Sequence, residues 1–387
     1  MNQTTARWAL GLGVAAAILP VASQAAPVVN YEVIHKLNGE EGFAPSGALV
    51  AGPGGKLYGT TAFGAAYSRG ASFKSSTSGK LKTLYAFGAP GTPQARPSGG
   101  LTLAGDGNFY GGARGDSGQH DVVYRMTPQG ETTTLFDLNT SSCRAPAGKL
   151  ALAQDGRLYG MTYFGGANDR GCIYSVGTDG VFTLLHSMAA ADGAGDSYSR
   201  LVVSSDGYLY GTSPYGGAHD GGTLFRVSTT GEFEVIHAFA SPGSSEAAEP
   251  TKGLVEGPDG MLYGSAYRGG AQDLGVIYRI AKDGSQLSVI LDYAEFGRGL
   301  RPAGELALGS DGQLYGAAFK GGIRGLGQYF RVTLDGQYTK LHQADRDLKE
   351  SSALIGQMVE LAPGEFYGLT ETGGKYTQGT LFKLQVQ

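Results

Sequence analysis

The sequence has one tryptophan, two cysteines, no excess of basic residues and no segment of helical periodicity after its N-terminus. Each absence excludes something. A net charge of −4 over 387 residues provides no basic surface for nucleic acid, so no nucleic-acid partner is expected. There is no Gly-x-Ser-x-Gly elbow, no His-Glu-x-x-His and no Cys-x-x-Cys. Gly111-Gly112-Ala113-Arg114-Gly115 is rich in glycine but no helix follows it, which excludes a dinucleotide loop. No cofactor and no metal site is expected.

The tryptophan, Trp8, lies in residues 1–26, which read as a secretory signal peptide. Arg7 is the only charge there, Ala9 to Ala22 is apolar, and Ser23-Gln24-Ala25 has the form of a cleavage site. The apolar stretch is too short and too rich in alanine and glycine for a membrane span. The mature chain, 27–387, then has no tryptophan and a net charge of −5, the −4 of the whole less the +1 of Arg7. It is expected to be exported to the periplasm or the medium, without a membrane span, as a monomer. Any sugar stacking would fall to the 22 tyrosines.

What the chain does have is a repeat. Leu/Phe-Tyr-Gly occurs seven times, with tyrosines at Tyr58, Tyr110, Tyr159, Tyr210, Tyr263, Tyr315 and Tyr367, spaced by 52, 49, 51, 53, 52 and 52 residues. A period of this length sets the architecture. In five units an Asp-Gly hairpin turn precedes the tyrosine strand, as at Asp206-Gly207. A Gly-Gly loop, a third strand with an aromatic, a second turn and a fourth strand follow. Four short antiparallel strands per unit, repeated radially, make a seven-bladed β-propeller, an all-β fold. The seventh unit lacks a fourth strand. Tyr31-Glu32-Val33-Ile34-His35-Lys36-Leu37 resembles the fourth strand Phe233 to Phe239, so the N-terminal strand is expected to complete the last blade and remove two open edges.

Both cysteines, Cys143 and Cys172, fall in the third unit, at connections expected on one rim. An even count in an exported chain favours a disulfide between them; the alternative is two buried thiols.

The pattern from Asp206-Gly207-Tyr208-Leu209-Tyr210-Gly211 through Gly222-Thr223-Leu224-Phe225 resembles the GloVer tandem-repeat family of exported bacterial proteins. The resemblance covers essentially the whole mature chain. It implies an exported, propeller-like protein, often joined to a surface anchor or sorting tail; no such tail follows Gln387. The family carries no catalytic motif to transfer.

Function is sought where the units differ. His35, His186, His237 and His342 share one fourth-strand position with Tyr85 and Phe136, which points to packing. The Asp-Gly aspartates are explained by their turns, and Asp169, Asp220 and Asp273 by capping of the Gly-Gly loops. Four residues after each repeat tyrosine the units diverge: Ala62, Arg114, Tyr163, Pro214, Tyr267, Phe319 and Glu371. The next position adds Tyr215, Arg268 and Lys320, and Arg96 and Arg301 precede inter-blade prolines. His120 and His219 lie in the same loops. This gives two readings. In the first, Arg96, Arg114, Arg268, Arg301, Lys320, Tyr163 and Tyr215 bind a carbohydrate or other anionic ligand without turnover, or the module docks an envelope protein. In the second, His120, His219 and Tyr267 serve β-elimination in a polysaccharide lyase acting on a uronate polymer.

Overall fold

The computed structural model describes residues 27–90, 96–115, 120–193, 200–251, 253–295, 301–319, 327–345, 353–374 and 377–387. Residues 1–26, expected above to be a signal peptide, and Lys320 lie outside the described residues. Seven antiparallel sheets form seven blades around one axis. Blade three is typical. From the axis outwards its strands are Cys143–Leu152, Leu158–Gly165, Cys172–Val176 and Phe182–Ser187. Helical structure among the described residues amounts to single 3₁₀ turns such as Pro53–Gly55.

Why the repeat reads Leu-Tyr-Gly is visible in the pairing. In every blade the motif glycine sits opposite the aromatic of the third strand, as in Gly59–Phe73, Gly111–Tyr124 and Gly211–Phe225. A Cβ on any of the seven glycines would fall 2.4–2.8 Å from that ring. The glycine is therefore the socket for the aromatic, and its position in a strand interior follows from that close approach.

The tyrosine joins blades. Its ring is buried against the next blade, as where Tyr58 lies 4.3 Å from Phe109 and Tyr315 lies 4.2 Å from Phe366. Its hydroxyl donates to the aspartate of its own Asp-Gly turn, at 2.6–2.8 Å in five blades. The other aspartate oxygen accepts the backbone N–H two residues on. Burial, with the aspartate beside it, pushes the Tyr263 phenol up to about 12. The hydrophobic clusters accordingly straddle blade boundaries: Tyr110 of blade two packs with Leu150, Leu158 and Tyr174 of blade three.

Closure occurs as the sequence predicts. Val29–Lys36 pairs antiparallel with Thr380–Val386 and completes a four-stranded last blade. The shared histidine position is a packing position. His186 stacks on Phe233 at 3.8 Å and His342 on Tyr31 at 4.1 Å.

Cys143 and Cys172 form a disulfide, with Cα atoms 5.8 Å apart and both residues fully buried. It links the first and third strands of blade three across a sequence separation of 29 residues. Loop-closure entropy of that size is worth about 3–4 kcal/mol. Replacing both cysteines by alanine is expected to lower the unfolding midpoint in urea by that equivalent; an unchanged midpoint would show that the bridge adds nothing to stability.

On the face where the Asp-Gly turns lie, Glu256 ties blade four to blade five. It accepts from Lys282 Nζ at 2.6 Å, Ser204 Oγ at 2.8 Å and Ser205 Oγ at 2.6 Å. Burial opposes ionisation, but hydrogen bonds from Lys282, Ser205 and Ser204 outweigh it and hold the carboxyl down at about 2. A depressed carboxyl contributes stability above its unfolded value that is lost as pH falls through the folded one. The expected acid-stability curve therefore falls between the ordinary glutamate range and pH 2. The Glu256→Gln protein should lose less stability across that window; an identical curve would remove the assignment.

Candidate functional site

The position four residues after each repeat tyrosine lies within two residues of the end of the second strand, at the mouth of the central channel. All seven of these residues, Ala62, Arg114, Tyr163, Pro214, Tyr267, Phe319 and Glu371, line one cavity of about 1160 Å³. Residues from every blade line it, so it lies on the axis. Backbone register explains the ring: equivalent strands in equivalent blades bring the same position to the same radius.

Arg96 begins the innermost strand of blade two and lies directly opposite Arg114. Like charges in that relation cost stability. Among the described residues no carboxylate comes within ion-pair distance of either. Each guanidinium instead lies over an aromatic ring of a neighbouring blade, Arg96 at 5.1 Å from Phe63 and Arg114 at 5.1 Å from Tyr163. Such contacts orient a cation without neutralising it. The arginines therefore keep their hydrogen-bonding edges for a ligand. Phe63 (37%) and Tyr215 (46%) leave much of their surface open at the same mouth.

The candidate residues separate into groups. Arg96, Arg114, Tyr163, Tyr215 and Tyr267 line the cavity together. Arg301 lies over the Tyr267 ring at 5.7 Å. Arg268 is outside the lining and pairs with Asp273 at 2.7 Å, with Glu249 3.8 Å away. His120 and His219 are exposed on the loops and do not line the cavity. Asp169, Asp220 and Asp273 accept the backbone N–H four residues before them, at 2.8–3.2 Å. No group of three or more potential metal-ligating side chains comes together among the described residues.

A second ring was missed by the sequence reading. It is the residue before the innermost-strand leucine or methionine: Ala48, Gly100, Lys149, Arg200, Gly253, Glu305 and Gln357. In blade three the strand bulges between Ala147 and Ala151. A bulge of this kind re-aims a side chain, and here it turns Lys149 into the cavity. Lys149, Arg200 and Glu305 all line its lower part. Arg200 donates to Glu305, and through a second nitrogen to Gln357 Oε1 at 2.9 Å. Burial and the Arg200 guanidinium pull the Lys149 ammonium down to about 8, against a smaller opposite pull from Glu305. The signal was present in the sequence, because one repeat position carries Lys, Arg, Glu and Gln where the others carry Ala or Gly.

Residues 79–256 and 229–387 match the model of the Gloeobacter/Verrucomicrobia repeat. No curated protein sequence matches the chain. Among solved structures it is similar to the extracellular domain of a candidate one-component system from B. thetaiotaomicron. That alignment has 13% identity and a TM-score of 0.57 and covers 91% of this chain and 40% of the other. It is also similar to a puromycin-hydrolyzing peptidase of Mycobacterium tuberculosis, at 12% identity and a TM-score of 0.57, over 89% of this chain and 52% of the other. The chain thus spans about half or less of these proteins, and at such identity the likeness is one of fold alone.

Proposed function

The chain belongs to the Gloeobacter/Verrucomicrobia repeat family, and from the cavity at the mouth of its propeller we propose that it is a non-catalytic module binding an acidic carbohydrate. One observation carries this reading. Arg96 and Arg114 stand side by side in the cavity, stacked on aromatic rings and without a carboxylate partner among the described residues. A carboxylate-bearing ligand supplies the missing charge through charge-assisted hydrogen bonds. The open faces of Phe63 and Tyr215 suit the apolar faces of a sugar ring. We place the protein outside the cytoplasm, in keeping with its disulfide.

Elimination chemistry would require a base next to the arginines in addition. Of the three candidates, Tyr267 lines the cavity, whereas His120 and His219 do not. Binding does not call on either histidine. Titration calorimetry with uronate-containing and neutral oligosaccharides tests the reading. Acidic oligosaccharides should bind and neutral ones of the same size should not, and His120→Ala and His219→Ala should leave the affinity unchanged. Equal binding of neutral and acidic ligands would overturn the charge argument. Release of unsaturated uronate, followed by ultraviolet absorbance, would overturn the non-catalytic part.

A further inference from the structure

We propose that the cavity reads the end of its ligand, which enters along the axis and places a terminal carboxylate on Lys149 at the floor. This rests on the acidic-carbohydrate reading above and adds which part of the ligand is recognised.

Side chains cross the axis at the floor of the cavity. Arg200 of blade four reaches Glu305 of blade six and Gln357 of blade seven, so one guanidinium joins three blades across the axis. Gly253 of blade five makes room for this, since a Cβ there would fall 2.7 Å from the Glu305 carboxyl carbon. The next residues along the innermost strands, such as Leu101, Leu150 and Leu254, are buried in the blade cores. A bridge across the axis at this depth favours a chain end over a polymer threaded through the ring.

Lys149 is the unmatched group at that depth. It stands three residues further along the innermost strand than Pro146, which pairs with Thr162 at the mouth. Among the described residues nothing accepts a hydrogen bond from its ammonium. Glu305, the acid nearest in charge, is engaged by Arg200. A half-buried ammonium next to a second cation is costly to maintain without an anion. Its three donors suit a carboxylate arriving end-on, while Arg96 and Arg114 remain for a carboxylate higher in the chain.

The test is calorimetry on the full chain with short oligouronates of increasing length, the same oligomers carrying a neutral sugar at either end in turn, and a long polyuronate. Expected is an affinity per chain that levels off at short length. Neutral replacement of one end should weaken binding about 10-fold or more. Lys149→Met should bring the uronate-ended ligand down to the neutral-ended level and leave the neutral-ended ligand unchanged. Binding of the uronate-ended ligand should fall as pH rises through about 8, and Lys149→Arg, charged throughout, should remove that fall. Thermal melts of both variants check folding, and Lys149→Arg keeps the pH comparison available if Lys149→Met does not fold. Many proteins bound along one long polymer, or indifference to both ends, overturns end recognition and leaves the acidic-carbohydrate reading standing. Failure of every uronate to bind overturns both.

Discussion

Replacing Arg96 and Arg114 together by alanine is expected to lower affinity for an acidic oligosaccharide by about 100-fold or more. Each guanidinium offers a charge-assisted hydrogen bond worth about 1.5–3 kcal/mol, and two such losses reach that factor. The same substitution removes a cross-strand repulsion, because the two residues face each other in the register of blade two. The ring contacts with Phe63 and Tyr163 are lost as well, so the two effects offset and thermal stability should change little while binding is lost. Loss of affinity without a matching loss of stability is the diagnostic. Residues retained for packing alone would lose stability and leave affinity unchanged. Calorimetry and a thermal melt on one preparation check both. Undiminished affinity would move the ligand away from this mouth. Arg268→Ala is the comparison, because Asp273 already holds that cation at 2.7 Å, and little loss of affinity is expected.

Gly99→Ala is expected to destabilise the protein by about 3 kcal/mol or more, the upper end for overpacking. Around the axis the innermost strands of neighbouring blades touch through backbone. A Cβ on Gly99 would lie 2.1 Å from the carbonyl oxygen of Gly148 and 2.9 Å from the amide nitrogen of Lys149. Neither atom can move away without shifting a blade, and the closed ring resists such a shift. Gly105→Ala is the control. It lies in a turn with nothing within 4 Å of its Cβ, and its φ is not positive. That change should be neutral or slightly stabilising, since alanine restricts the unfolded chain. Urea unfolding of the two variants separates them. Equal midpoints would mean that the ring of innermost strands is more compliant than its contacts imply.

Much of the architecture was legible from the chain because a propeller is local. Each blade is one run of about 50 residues, so a period of 49 to 53 residues reports one blade directly. The Asp-Gly turns, the Leu-Tyr-Gly strands and the matching N-terminal strand pointed to the same fold. The first ring of the cavity was legible as well, at the position four residues after each tyrosine. What could not be read was depth. The Lys149 position belongs to a strand that bulges, so counting residues along the strand does not tell which way the side chain turns.

By itself, then, the sequence determined the number of blades, their closure and the ring of residues where they diverge, because identical local units must stack identically. Only the tertiary structure decided which of the described cations find a carboxylate. Arg268 meets Asp273 within its own loop. Arg200 meets Glu305, a partner 105 residues away. The physical reason is that charge pairing depends on distances across the axis, between residues as remote in the chain as opposite blades.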